Sequence, residues 1–123
     1  MKQLLFVFVG GGFGSVLRYL INKWLGTTET GFPIGTLTVN ILGSLFMGII
    51  LGYVAKSNVF TPNQTLLLAT GFCGGFTTFS TFAYENQGFL KTGDFTNFVL
   101  YTIASFVLGF LAVFAGIFLS KSF

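Results

Sequence analysis

From Phe95 to Ser120 the chain runs without a charged side chain, and from Phe32 to Ala55 it does so again. A hydrocarbon core of roughly 30 Å takes about 20 helical residues to cross. Each run therefore has the length and the apolarity of a membrane-spanning helix. Leu4 to Leu25 and Asn63 to Asn86 supply two more candidates, interrupted by glycines and hydroxyls and carrying their few charges (Arg18, Lys23, Glu85) toward their ends. Charged residues make up only 7% of the 123, against about 25% in a soluble domain, so no water-facing surface can be assembled. The reading is an all-α membrane protein, a single domain over 1–123, with four transmembrane helices at about 4–25, 32–55, 63–86 and 95–120. Met1-Lys2 before an apolar run imitates a signal peptide. It lacks an Ala-x-Ala-like cleavage site, and we read it as a retained first helix.

Several chemistries are excluded. Nucleophilic and hydrolytic catalysis need a base held beside a nucleophile. The chain has no histidine, one cysteine (Cys73) and three acidic residues placed at predicted segment ends. No Cys/His metal spacing occurs, and a single cysteine allows no internal disulfide. Gly10-Gly11-Gly12-x-Gly14 lies inside an apolar segment, so it is not a phosphate loop. Six basic residues scattered along a chain of net charge +3 make no nucleic-acid surface. The predicted spans contain no deep acid to couple transport to protons. A passive polar pathway remains.

The stretch that such a pathway would use is Gly71-Phe72-Cys73-Gly74-Gly75-Phe76-Thr77-Thr78-Phe79-Ser80-Thr81-Phe82, in the middle of the third span. Glycine loosens a helix, and Ser and Thr hydroxyls can satisfy the backbone groups that a break sets free. Irregular backbone at membrane depth survives only when buried in protein or lining a cavity. The third helix is therefore predicted to break here. Phe76, Phe79 and Phe82 recur every three residues and are read as one aromatic face, with Ser80 and Thr81 beside it.

The other spans carry matching features. In the first, Gly10 with Gly14 and Gly11 with Ser15 lie one turn apart and admit a close helix. Arg18 sits about a turn inside the boundary, as a snorkelling side chain or as an electropositive vestibule. In the second, Thr36, Asn40, Ser44, Gly48 and Gly52 form a single i,i+4 stripe. That stripe suits close packing, but an amide near the bilayer centre is costly without partners, so Asn40 is read as a pore contact. Thr61 can cap the third span with Pro62 at its first position. Glu85 is placed near that span's far interface. In the fourth span Tyr101, Ser105 and Gly109 form another row, with Tyr101 either an aromatic-belt residue or part of a polar track.

An even number of spans puts Lys2, Lys56 and Lys121 on one side and Lys23 and Lys91, with Arg18 nearby, on the other. Orientation follows an excess of Lys and Arg on one side, and here there is almost none. Insertion in both directions, and an antiparallel homodimer, is the physical expectation. A lining of amide, hydroxyl and phenyl groups without acidic rings disfavours cations. Donors without acceptors, and the positive edges of aromatic rings, suit a small anion. This reasoning does not by itself separate fluoride from chloride.

Gly12-x-Gly14-x-x-x-Arg18-Tyr19, Gly35-Thr36-Leu37-x-Val39-Asn40-x-x-Gly43-Ser44 and the run from Gly71 to Phe82 followed by Glu85 together closely resemble the Fluc (CrcB) fluoride channel family, over essentially the whole chain. The resemblance implies a dual-topology antiparallel homodimer in a bacterial cell membrane, embedded in the lipid bilayer and exporting fluoride passively. It implies a fluoride pathway of Asn40, Phe79, Phe82, Ser80, Thr81, Tyr101 and Ser105, with Arg18 at a vestibule and Glu85 near the pore end. It further implies a structural Na+ on the dimer axis, held by backbone carbonyls of Gly74 and Thr77. Gly109 stands where some relatives carry a further serine, and Phe76 where leucine is expected; Phe76 is assigned to packing. The competing reading is a small membrane scaffold or accessory subunit without ion flux, whose glycine and serine rows serve only helix packing. An exporter coupled to protons fits less well.

Overall fold

The computed structural model describes residues 1–56 and 60–122. The middle of the predicted second loop and the last residue lie outside the described residues. Helix α1 spans Lys2–Leu25, α2 Ile34–Lys56 and α6 Phe95–Ser122. Between α2 and α6 lies the third segment, in pieces: α3 (Pro62–Thr65), a π-helical stretch (Leu66–Cys73), one turn α4 (Gly74–Phe76), and α5 (Ser80–Thr92). The described residues are helical or in loops, and the four segments are each long and apolar enough to cross a membrane.

Local chemistry explains the boundaries. Thr61 and Gln64 form a reciprocal capping box, the Thr61 hydroxyl accepting the Gln64 N–H (3.1 Å) and Gln64 Oε1 accepting the Thr61 N–H (3.0 Å), which satisfies two otherwise orphaned donors. α5 ends at Gly93, whose left-handed backbone (φ 78°) lets its N–H turn back on Leu90 and Phe89. Asp94 then caps α6 through the Asn97 N–H (3.2 Å), and the Asn97 amide donates to the Thr30 carbonyl (2.9 Å), tying the first loop to α6. At the opposite end Lys56 Nζ donates to the Ser120 carbonyl (2.9 Å), placing the end of α2 beside that of α6.

The glycine rows act as packing seams. A Cβ on Gly10 would collide with the Leu67 carbonyl, and one on Gly14 with the Phe72 carbonyl, so α1 lies directly on the π-helical stretch. A Cβ on Gly48 would collide with the Val113 carbonyl and one on Gly116 with that of Leu45, which brings α2 and α6 to backbone contact. Small residues thus replace the hydrophobic drive that lipid removes. The outer faces of α1 and α6 stay exposed and apolar, including Phe8, Phe13, Phe110, Phe114 and Phe118. Such surface is stable only against lipid or another apolar protein face; the chain is a multi-pass membrane protein.

Three sequence expectations are corrected. The third helical segment reaches Thr92 rather than Asn86, so Glu85 lies in the body of α5 rather than in its last turn. The π-helical stretch was not anticipated; within it the ladder shifts, and the Gly74 N–H reaches back five residues to the Ala69 carbonyl. Finally, Phe76, Phe79 and Phe82 do not share a face, because the chain turns extended at Thr77 (ψ 160°). Phe76 is buried and stacks on Phe72 at 5.6 Å, while Phe79 and Phe82 pair separately. The assignment of Phe76 to packing agrees with this.

Candidate anion pathway at the helix break

The break is made by side chains taking over backbone bonds. In an unbroken helix the Thr78 N–H would bond the Gly74 carbonyl; here it donates to Asn40 Oδ1 at 2.8 Å. Asn40 Nδ2 returns a bond to the Thr78 carbonyl at 3.1 Å, so one amide side chain of α2 clamps both polar groups of one residue. The Thr81 N–H, which would bond the Thr77 carbonyl, donates instead to Thr78 Oγ1 at 3.3 Å. The Thr77 N–H and hydroxyl both go to the Cys73 carbonyl, at 3.0 and 2.9 Å. The Gly74 and Thr77 carbonyls are thereby released from the ladder, at a point where Gly74 is exposed. Arg18 Nε donates to the Gly75 carbonyl at 3.0 Å, with Ser15 Oγ at 3.5 Å.

Against the break lies a groove of about 300 Å³. Asn40, Ser44, Thr77, Thr78 and Ser105 line it together with Phe79, Phe82, Phe106 and Gly109. No charged side chain lines it. Asn40 retains one amide N–H beyond the bond to Thr78. Ser105 Oγ is buried without a hydrogen-bond partner among the described residues. Phe79 and Phe82 have ring centroids 5.7 Å apart. They differ sharply in burial: Phe82 is 7% exposed, whereas Phe79 is 73% exposed at the open side.

Behind Phe82 stands a second polar cluster. The Tyr101 hydroxyl donates to Glu85 Oε1 at 2.8 Å and the Thr36 hydroxyl to Glu85 Oε2 at 3.1 Å, so both carboxylate oxygens are engaged. Tyr101 is fully buried, its ring 5.0 Å from Phe82 and 5.6 Å from Phe32. It is therefore no aromatic-belt residue. Among the described residues no lysine or arginine pairs with Glu85.

Of the residues singled out in the sequence, Asn40, Phe79, Phe82 and Ser105 meet in the groove. Ser80 and Thr81 gather on the Thr78 hydroxyl, each at 3.3 Å, beside it. Tyr101 and Glu85 lie behind it, and Arg18 approaches the break from α1. Two participants were missed. Thr36 was seen only as part of a small-residue stripe, although a threonine one turn before Asn40 on a polar face was a usable signal. Thr78 was quoted within the motif and given no role; nothing local distinguishes it from Thr77.

Comparison with known proteins now bears on this geometry. Residues 5–117 match the family described as CrcB-like protein, Camphor Resistance (CrcB). The chain belongs to the CrcB family. A family relative from Gloeothece citriformis, named fluoride-specific ion channel FluC, is 48% identical over 125 residues, 98% of each chain. One of the same name from Phocaeicola vulgatus is also 48% identical, covering 98% of this chain and 100% of that one. The FluC of Leptospira interrogans is 44% identical over 123 residues, 99% and 97% of the two chains. Membership thus extends over the groove, the break and the glycine seams alike.

Proposed function

We propose that this CrcB family chain is a fluoride-selective channel that lets fluoride leave the cell passively and so confers resistance to it. The observation that carries the reading is the groove at the break: uncharged, furnished with unspent donors, and bounded by two phenyl rings. A dehydrated fluoride needs several close donors. The free Asn40 N–H and the Ser105 O–H supply them, and the positive edges of Phe79 and Phe82 add a weaker attraction. A cation would find no acidic ring there. Tyr101 has given its hydroxyl to Glu85, so it contributes by backing the Phe82 ring. Ser80 and Thr81 continue the polar surface past the break.

The working unit is an antiparallel homodimer. Its support is the balance of basic residues on the two sides, the exposed apolar faces of α1 and α6, and the position of Phe79, which needs a second surface to close the groove into a conduit. The Gly74 and Thr77 carbonyls, freed from their helix, fit a hard monovalent cation, whose preference is for oxygen ligands. The same two carbonyls from two copies would hold Na+ at the subunit junction. When bound it supplies fixed positive charge and holds the two breaks together. No enzymatic role is proposed: Glu85 is bound by two hydroxyls, and among the described residues no nucleophile is held beside it.

The test is growth of fluoride-sensitive bacterial cells, lacking their own exporter, on fluoride-containing medium. Cells producing this chain are expected to grow where control cells stop. Equal inhibition of both, with the protein present in the membrane, would refute the function and favour a scaffold.

A further inference from the structure

We propose that Arg18 is a positioning residue for the broken helix, acting through the Gly75 carbonyl rather than only by drawing anions to a vestibule; the inference rests on the fluoride-channel reading above. A helix that stops in the membrane leaves its last carbonyls without partners and presents about half a negative charge there. At the end of α4 that charge lies beside the proposed anion path. The Cys73 carbonyl is satisfied by Thr77, and the Gly75 carbonyl is satisfied by the Arg18 guanidinium at 3.0 Å, assisted by Ser15 at 3.5 Å. The bond is short because glycine brings the backbones together: a Cβ on Gly75 would press on the Gly11 carbonyl at 2.5 Å, and one on Gly14 would collide with that of Phe72.

Two consequences follow from this placement. The full positive charge of Arg18 offsets the negative helix end where an anion must pass. The bond also takes the Gly75 carbonyl out of the set that the break frees, a set that includes those of Gly74 and Thr77. Arginine is suited to the task and lysine is not, since Nε donates from a planar, rigid fork while an ammonium is a mobile, strongly hydrated point charge.

The experiment is fluoride efflux from vesicles holding about one channel each, comparing wild type, Arg18→Lys and Arg18→Gln at low and high ionic strength. A vestibule that merely attracts anions is served equally by lysine, and its effect is screened by salt. Positioning predicts that Arg18→Lys slows emptying about tenfold per active vesicle, at both ionic strengths, with Arg18→Gln slower still; tenfold corresponds to about 1.4 kcal/mol. A folding defect would instead lower the fraction of vesicles that empty and leave their time course unchanged. That result, wild-type speed in Arg18→Lys, or a loss that disappears at high salt would each overturn the inference. A wild type that releases no fluoride would overturn the channel reading itself.

Discussion

Replacing Asn40 by alanine removes the clamp on Thr78 and is the most informative single change at the break. The side chain makes two bonds, 2.8 Å from the Thr78 N–H and 3.1 Å to the Thr78 carbonyl. Each is worth about 1 kcal/mol net, and a buried backbone group left without a partner costs about 1–3 kcal/mol more. With two groups half-buried beside a groove that admits some water, the extended turn is destabilised by about 2–4 kcal/mol relative to competing conformations. At the lower end this shifts the equilibrium between the extended turn and its competitors about thirtyfold, and the lost N–H weakens ion binding further. Fluoride efflux per active vesicle should therefore fall, by up to about thirtyfold from the lower-end conformational shift alone. Helix content by circular dichroism should not change, because α2 is held to α6 by the Gly48 and Gly116 contacts, not by Asn40. Asn40→Asp keeps an acceptor for the Thr78 N–H, loses the donor, and sets a carboxylate in an anion path; it should be as inactive. Wild-type flux in Asn40→Ala would refute the claim that the clamp shapes the pathway.

Further expectations concern the rings, the seams and the Glu85 carboxylate. Phe79→Ile should reduce fluoride flux with little loss of thermal stability, since Phe79 is 73% exposed, whereas Phe82→Ile should lower both by disturbing the contacts with Tyr101 and Phe106; unchanged flux in both would reduce the rings to packing. Gly48→Ala should lower the melting temperature in detergent by forcing α2 from α6, while Gly88→Ala, where a Cβ meets nothing within 4 Å, should be neutral or stabilising by up to about 1 kcal/mol. Tyr101→Phe leaves Glu85 Oε1 without its donor and should cost about 1–3 kcal/mol in thermal or denaturant unfolding. A melting point equal to wild type would show that water replaces the lost hydroxyl.

The sequence was most legible where a single physical rule acts along the chain. Uncharged length gave the spans, Thr61-Pro62 gave the start of the third segment, and the Gly10–Gly14 and Gly48–Gly52 rows marked surfaces of close approach. It was least legible where residues distant in sequence share one task. Asn40 was selected because an amide deep in a membrane needs a reason; that its partner would be the Thr78 backbone depends on how α2 crosses the break. The end of the third helical segment was placed six residues too early, at Asn86 instead of Thr92. A wider π-helical stretch and an extended turn advance the chain differently, and α5 then continues to Thr92. Tyr101 shows the same limit: at a span end it suits an interface, but Glu85, itself held by Thr36 of a third helix, draws its hydroxyl inward.

An uncharged groove at a broken helix should pass fluoride and reject larger anions. Vesicles loaded with equal fluoride and chloride and carrying the purified wild-type chain test it directly, with one ion-specific electrode for each. Rapid loss of fluoride with chloride retained is the result expected; both ions leaving together, or neither, would contradict it.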